Sequence, residues 1–167
     1  MPQPNAETTP DTEPVITVRN LKVAFGSKKN ATSTVHGVDF EIHRGECLAI
    51  VGESGSGKSV TARTLMGLTG ENAVVRADAM ALHGKDLRRK GAKAWRGVRG
   101  AEIGYVLQDA LVSLDPLRPI GREISDSLRI HTGLSSAARR TKVLELLEAV
   151  GIPDPLQRIR QRSGELS

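Results

Sequence analysis

Eight residues in the first half of the chain carry the sharpest chemistry. Gly52-Glu53-Ser54-Gly55-Ser56-Gly57-Lys58-Ser59 fits G-x-x-x-x-G-K-[ST] at every fixed position. The residue types have a physical reason. Glycines let the backbone curl so that successive N–H groups converge on phosphate oxygens, and the positive end of a following helix adds to them. Lys58 supplies a point charge for the β- and γ-phosphates, and the Ser59 hydroxyl supplies a ligand for Mg²⁺. The overlapping glycines make no dinucleotide fingerprint, because Val60 stands where a third spaced glycine would fall. The pattern points to a nucleoside triphosphate.

Such a grip needs a second, acidic partner for Mg²⁺, usually an Asp that ends a buried strand. Downstream, only Asp109, after Tyr105-Val106-Leu107-Gln108, has that form. Either Asp109 is the metal-side acid of a small NTPase, or Gln108 is the functional residue and the acid lies beyond residue 167. The residues alone leave both open.

The elements that must position these groups follow from hydrophobic patterning. Val15–Arg19 is a β-branched run suited to a strand. Val35–Ile42 alternates around Val38, Phe40 and Ile42, with Asp39 and Glu41 facing the other way, as in a half-buried strand. Cys47–Val51 is uniformly apolar and reads as a strand covered on both faces, with Cys47 a small core residue. A helix is expected from Lys58 to about Leu68. Ala79–Leu82 is a further strand candidate, ended by His83-Gly84, and a basic helix over 86–97 has Trp95 as its anchor. Ile103–Leu107 is a second short buried strand. Ile120–Ile130 is a weaker amphipathic helix. Ser136–Val150 is a stronger one, with Val143, Leu146, Leu147 and Val150 on one stripe and Gly151 and Pro153 as stops.

Composition narrows the function classes. The 167 residues are 38% hydrophobic and 26% charged, which suits one globular domain with a short appendage. No apolar run reaches the length of a membrane span. Aromatics at 2% argue against stacking on single strands, so nucleic acid is not expected as a partner. One cysteine forbids an internal disulfide. Residues 1–14 hold Glu7, Asp11 and Glu13 with no Lys or Arg, and four prolines with nothing to bury, so they read as a disordered tail. The net charge of +5 therefore becomes +8 on the remainder. Basic residues concentrate in 85–99, a solvated helix face or an anion-facing surface. Asn30-Ala31-Thr32 fits the glycosylation pattern, but no secretion signal accompanies it.

Residues 15–167 resemble the ATP-binding subunits of ABC transporters, in the dipeptide/oligopeptide importer branch. Three stretches carry the likeness: Gly52–Ser59; Tyr105-Val106-Leu107-Gln108-Asp109 with Ser113-Leu114-Asp115-Pro116; and Val150-Gly151-Ile152-Pro153-Asp154-Pro155. The interval of about fifty residues from Ser59 to Gln108 also suits that branch. The resemblance implies an α/β fold, a phosphate-loop NTPase core with an antiparallel β subdomain and a helical subdomain over 118–160. It implies ATP and Mg²⁺ as ligands, held by Gly52 to Val60, with Lys58 and Gln108 in catalytic roles and Ser59 and Gln108 at the metal. Phe25 falls where an aromatic stacks on adenine; its plainer reading is a core phenylalanine. The implied partners are transmembrane permease subunits and a second nucleotide-binding domain, identical or paralogous, at the cytoplasmic face of the membrane.

Three departures bear on that reading. Val60 stands where many members have Thr, and Ala110 where proline usually follows Gln-Asp. Arg162-Ser163-Gly164-Glu165-Leu166-Ser167 looks like the run into the signature motif, with Leu166-Ser167 as its opening. The family's acidic strand end, catalytic glutamate and switch histidine would all lie further on, and none of His36, His43, His83 and His131 falls where that switch would be. The alternatives are therefore a nucleotide-binding fragment without turnover, or the small NTPase that uses Asp109.

Overall fold

The computed structural model describes residues 13–26, 30–107 and 113–166. The chain divides into two compact units, residues 1–98 and 99–167.

The first unit is built on one long strand. β1 (Ile16–Phe25) pairs antiparallel with β2 (Thr32–Ile42) along its length. Its other edge is shared end to end by β3 (Ala73–Arg76), opposite Lys22–Phe25, and β4 (Ala79–Leu82), opposite Ile16–Arg19. The changeover sits at Asn20, whose left-handed backbone (φ 49°) suits a short polar side chain. Asn20 N–H donates to Asp39 Oδ1 at 3.0 Å and its Nδ2 to Asp78 Oδ2 at 3.0 Å, so the irregularity is tied to both neighbours. His83-Gly84, both at positive φ, close a two-residue hairpin from β4 to β5 (Lys85–Asp86). Val18, Leu21, Val23, Val35, Met80, Leu82 and Leu87 form the buried side, joined by Trp95 and Val98 of α2 (Ala92–Val98). Trp95 is thus the anchor the sequence suggests, in a helix that starts later than expected.

Ala79–Leu82 falls where predicted, whereas β1 runs six residues beyond the predicted Arg19. β3 was not predicted. In β2 the buried residue is Val35, whereas Val38, opposite Leu21 beside the register shift, is exposed. The helix after the glycines, α1 (Lys58–Thr64), is shorter than expected and ends in a turn at Gly67 (φ 61°).

Two predicted strands do not form. Cys47–Val51 is irregular and exposed, Cys47 included, with Val51 at 90% exposure. Ile103–Leu107 makes only an isolated bridge from Ile103 to Arg99, and Val106 is 91% exposed. A strand buried on both faces needs ladder partners and covering layers. Among the described residues no strand pairs with either segment.

The second unit is helical. α3 (Ile120–His131) and α4 (Ser136–Ala149) pack around Ile120, Val143, Leu147 and Ile159. Ser135 caps α4 by accepting from Ala138 N–H at 3.2 Å. Gly151 (φ 77°) ends it, with Gly151 N–H on Glu148 O and Ile152 N–H on Leu147 O. Only Val143 and Leu147 of the predicted stripe are buried; Leu146 and Val150 are exposed. α5 (Pro155–Arg158) leads into Ile159 and Gln161, whose carbonyls accept from Gly121 and Ile120 N–H at the start of α3. Gly121 is required there, because a Cβ would lie 2.1 Å from Ile159 Cγ1.

Candidate functional site

The glycine-rich loop links Val51 to α1 and packs on β2. Gly55 and Gly57 adopt φ of 84° and 89°, the left-handed region that glycine enters without steric cost. A Cβ on Gly57 would meet Thr34 O at 2.9 Å and Val35 Cγ2 at 3.0 Å, so the loop's backbone lies directly on that strand. Gly52 is hemmed in by Ser56 Oγ, 2.7 Å from where its Cβ would be. Ser56 N–H donates to Glu53 O at 3.2 Å and closes the turn. The Lys58 ammonium reaches back to the loop's start, donating to Gly52 O at 2.8 Å and Glu53 O at 2.6 Å. No acidic residue occupies the first turn of α1, so the positive helix end has no internal counter-charge there.

The remaining predicted residues fall as follows. Ser54 and Ser59 are exposed, and neither hydroxyl has a protein partner among the described residues. A free hydroxyl beside an ammonium and a curled run of N–H groups fits a ligand set for a Mg²⁺–phosphate pair. Val60 is half-buried and its carbonyl accepts from Thr64 Oγ1 at 2.7 Å, so it serves the helix. Phe25 is half-buried at the end of β1, opposite Thr32 and Ala73, on the stretch of ladder that precedes the Thr34–Val35 contact with Gly57. Gln108, Asp109 and Ala110 lie outside the described residues. Among the described residues no group of three or more His, Cys, Asp or Glu could hold a metal by itself.

A second feature belongs to the helical unit. A groove of about 680 Å³ between α3 and α4 carries Arg122, Arg140 and Arg160, with Ser125 and Ser136 beside them. These three guanidinium groups meet no carboxylate among the described residues, whereas Arg118 binds Glu123 (2.7 Å) and Asp126. The hydrogen bond from Arg118 holds the Asp126 carboxyl below its ordinary range. Sequence reasoning missed this trio, because the arginines are spread over 39 residues and only the packing of α3 against α4 gathers them.

An antiparallel sheet, a glycine loop with its lysine folded onto it, and a helical unit together define a phosphate-loop NTPase of α/β type. Residues 35–167 match the family described as ABC transporter. The chain is 40% identical over 156 residues to the dipeptide transport ATP-binding protein DppD of Bacillus subtilis, covering 93% of this chain and 47% of that protein. It is 38% identical over 154 residues to the oligopeptide transport ATP-binding protein OppD of the same organism, covering 92% of this chain and 43% of that one. The dimeric structure of MJ0796, a bacterial ABC transporter cassette, superposes with a TM-score of 0.76 at 21% identity, over 91% of this chain and 63% of the cassette. The protein belongs to the ABC transporter family. It spans about half the length of the curated relatives it matches.

Proposed function

We propose that this chain grips ATP with Mg²⁺ through Gly52–Ser59, as part of the ATP-binding subunit of a transporter that takes up peptides or similar solutes. The observation that carries the reading is the loop itself. Gly55 and Gly57 hold it curled while Lys58 Nζ sits over its first carbonyls, where the charge is poised for phosphate oxygens. Lys58 binds the β- and γ-phosphates and Ser59 a metal-bound edge of them; Phe25 stacks on the base, and Gln108 stands at the metal and the attacking water. Bound Mg²⁺ would neutralise charge on the phosphate oxygens. Binding of this kind positions the nucleotide, and positioning supplies most of the catalysis in phosphoryl transfer.

Peptides as the solute follow from the DppD and OppD likeness alone. The same likeness supports transmembrane permease subunits and a second nucleotide-binding domain as partners, with attachment at the cytoplasmic face of the membrane. No helix among the described residues is long and apolar enough to cross a bilayer. The groove with Arg122, Arg140 and Arg160 is the surface we assign to an acidic segment of a permease. Turnover requires a catalytic glutamate and signature glycines, which the family places downstream of Leu166-Ser167. The test is a titration of the chain with MgATP, beside phosphate release from the chain and from a version extended to the length of its relatives. Binding by both with release from the extended version alone is the expected result. Absence of binding in both would overturn the assignment.

A further inference from the structure

The outer face of the first unit's sheet holds a groove that the nucleotide grip does not use. Residues directly opposite each other on paired strands share a face. β1 therefore sets Lys22 in one row with His36 of β2 and Arg76 of β3, and Ala24 in the next row with Ser33 and Val74. Lys22, His36 and Arg76 are exposed. Like charges facing each other across a ladder cost stability. Arg19, on the same strand, is paired with Glu41 at 2.5 Å, whereas neither Lys22 nor Arg76 forms an ion pair among the described residues. Lys22 is also held in place. A Cβ on Gly37 would lie 3.3 Å from Lys22 Cε, so the lysine stem lies over Gly37, whose φ of 108° suits glycine. On the β2 side, Ser33 Oγ and His36 Nδ1 are hydrogen-bonded at 3.1 Å.

The two rows border a groove of about 540 Å³, with Lys22 and Arg76 from one and Ala24, Ser33 and Val74 from the other, joined by Ala31. That is the size of a small-molecule site. Its chemistry is two-sided. Lys22 and Arg76, with Cβ atoms about 5 Å apart as an opposed pair, suit a ligand that brings more than one negative charge to one point. A phosphate monoester does so near neutral pH and carries three acceptor oxygens, two of which match the fork of Arg76. A carboxylate brings a single charge. Ala24, Ala31 and Val74 add no polar side chain, and their small size leaves room for a flat apolar body above the sheet. We propose that this groove binds a small organic phosphate monoester, with its phosphate between Lys22 and Arg76 and its apolar body over Ala24, Ala31 and Val74. The site is separate from the phosphate loop, because Gly57 lies against Val35, which is buried with Val23 on the sheet's other face. It therefore stands apart from the nucleotide reading.

Phenyl phosphate, titrated into the ¹⁵N-labelled full chain and followed by amide chemical shifts, tests this. Saturating shifts are expected at Lys22, Ala24, Ala31, Val74 and Arg76. Phenyl phosphate should bind about tenfold more tightly than inorganic phosphate, which lacks the apolar body. It should bind about fivefold more tightly than benzoate, which lacks the second charge. Arg76→Gln should weaken the response at Ala24 and Val74 about fivefold, and Lys142→Gln, in the helical unit, should leave it unchanged. In the parent chain 1 M NaCl should weaken binding, since exposed charges are screened there. Shifts spread evenly over exposed amides, or confined to Gly52–Ser59, would overturn the proposal. So would indifference to salt, which needs no variant to measure, or equal affinity for phenyl phosphate and either of the other two anions. MgATP, read at Gly52–Ser59, should bind Arg76→Gln as it binds the parent, so failure of this site and failure of the nucleotide reading are separately visible.

Discussion

The Lys58 ammonium donates to the Gly52 carbonyl at 2.8 Å across six residues, so the loop's cation is clasped to the loop's own first residue. The same ammonium reaches Glu53 O, and Ser56 N–H closes the turn beneath it. The loop is therefore preorganised by main-chain contacts, and Ser59 is left with a free hydroxyl at the start of α1.

Ser59→Ala should separate the metal from the phosphate. Removing a hydroxyl that ligates Mg²⁺ is expected to weaken ATP binding about tenfold with Mg²⁺ present, roughly 1.4 kcal/mol. In EDTA the variant and the parent should bind alike. A loss of equal size with and without the metal would mean that Ser59 serves the loop and not the ion.

Gly67 and Trp95 offer a stability test far from phosphate chemistry. A Cβ on Gly67 would lie 2.5 Å from Trp95 Cε2, at a φ of 61°. Gly67→Ala should cost about 2–4 kcal/mol through overpacking and left-handed strain. Gly97→Ala, inside α2 with nothing within 4 Å, should be neutral or stabilise by about 0.5–1 kcal/mol. Trp95 is the sole tryptophan, so its fluorescence during urea unfolding reports both. Equal midpoints for the two variants would contradict the packing described for this unit.

Acid should weaken the start of the helical unit through Asp126. Arg118 depresses its carboxyl by hydrogen bonding, with Arg129 adding a 3.3 Å contact. A depressed folded value means that stabilisation is present above the unfolded value near 3.9 and is lost as pH falls through the folded one. The melting gap between the parent and Asp126→Asn should therefore be open at pH 6 and close progressively below pH 4. A gap that is constant down to pH 2 would show that the ion pair does not couple to folding.

Purified 1–167 should bind nucleotide yet release phosphate at no more than the buffer rate. Lys58 and Ser59 provide the grip, while the family's catalytic glutamate and signature glycines are expected downstream of Leu166-Ser167. Steady-state phosphate release, read beside a version extended to the relatives' length, checks this. Comparable turnover from both would place the catalytic acid within 1–167 and return attention to Asp109.

The phosphate loop was legible because its chemistry is local: eight consecutive residues impose their own backbone geometry, and Gly55 and Gly57 sit where the curl needs them. A helix end was legible where its stop is local, as at Gly151, whereas α1 ends before the expected Leu68 and α2 starts after the expected residue 86. Apolar runs misled where burial depends on distant partners. Cys47–Val51 has the composition of a central strand, but pairing is a property of neighbours, and no described strand lies alongside it. The short β3 was invisible because Ala73–Arg76 becomes a strand only through the free edge of β1 beyond Asn20. Arg122, Arg140 and Arg160 likewise meet only in the packed helical unit.

The most direct test of the nucleotide grip is calorimetric titration of the parent chain and of Lys58→Ala with MgATP. Lys58 contributes a charge-assisted contact of about 1.5–3 kcal/mol, and its removal also frees the Gly52 and Glu53 carbonyls. The account predicts saturable one-to-one binding by the parent and a loss of about ten- to a hundredfold in the variant. Equal affinity in the two proteins, with the variant melting as the parent does, would contradict it.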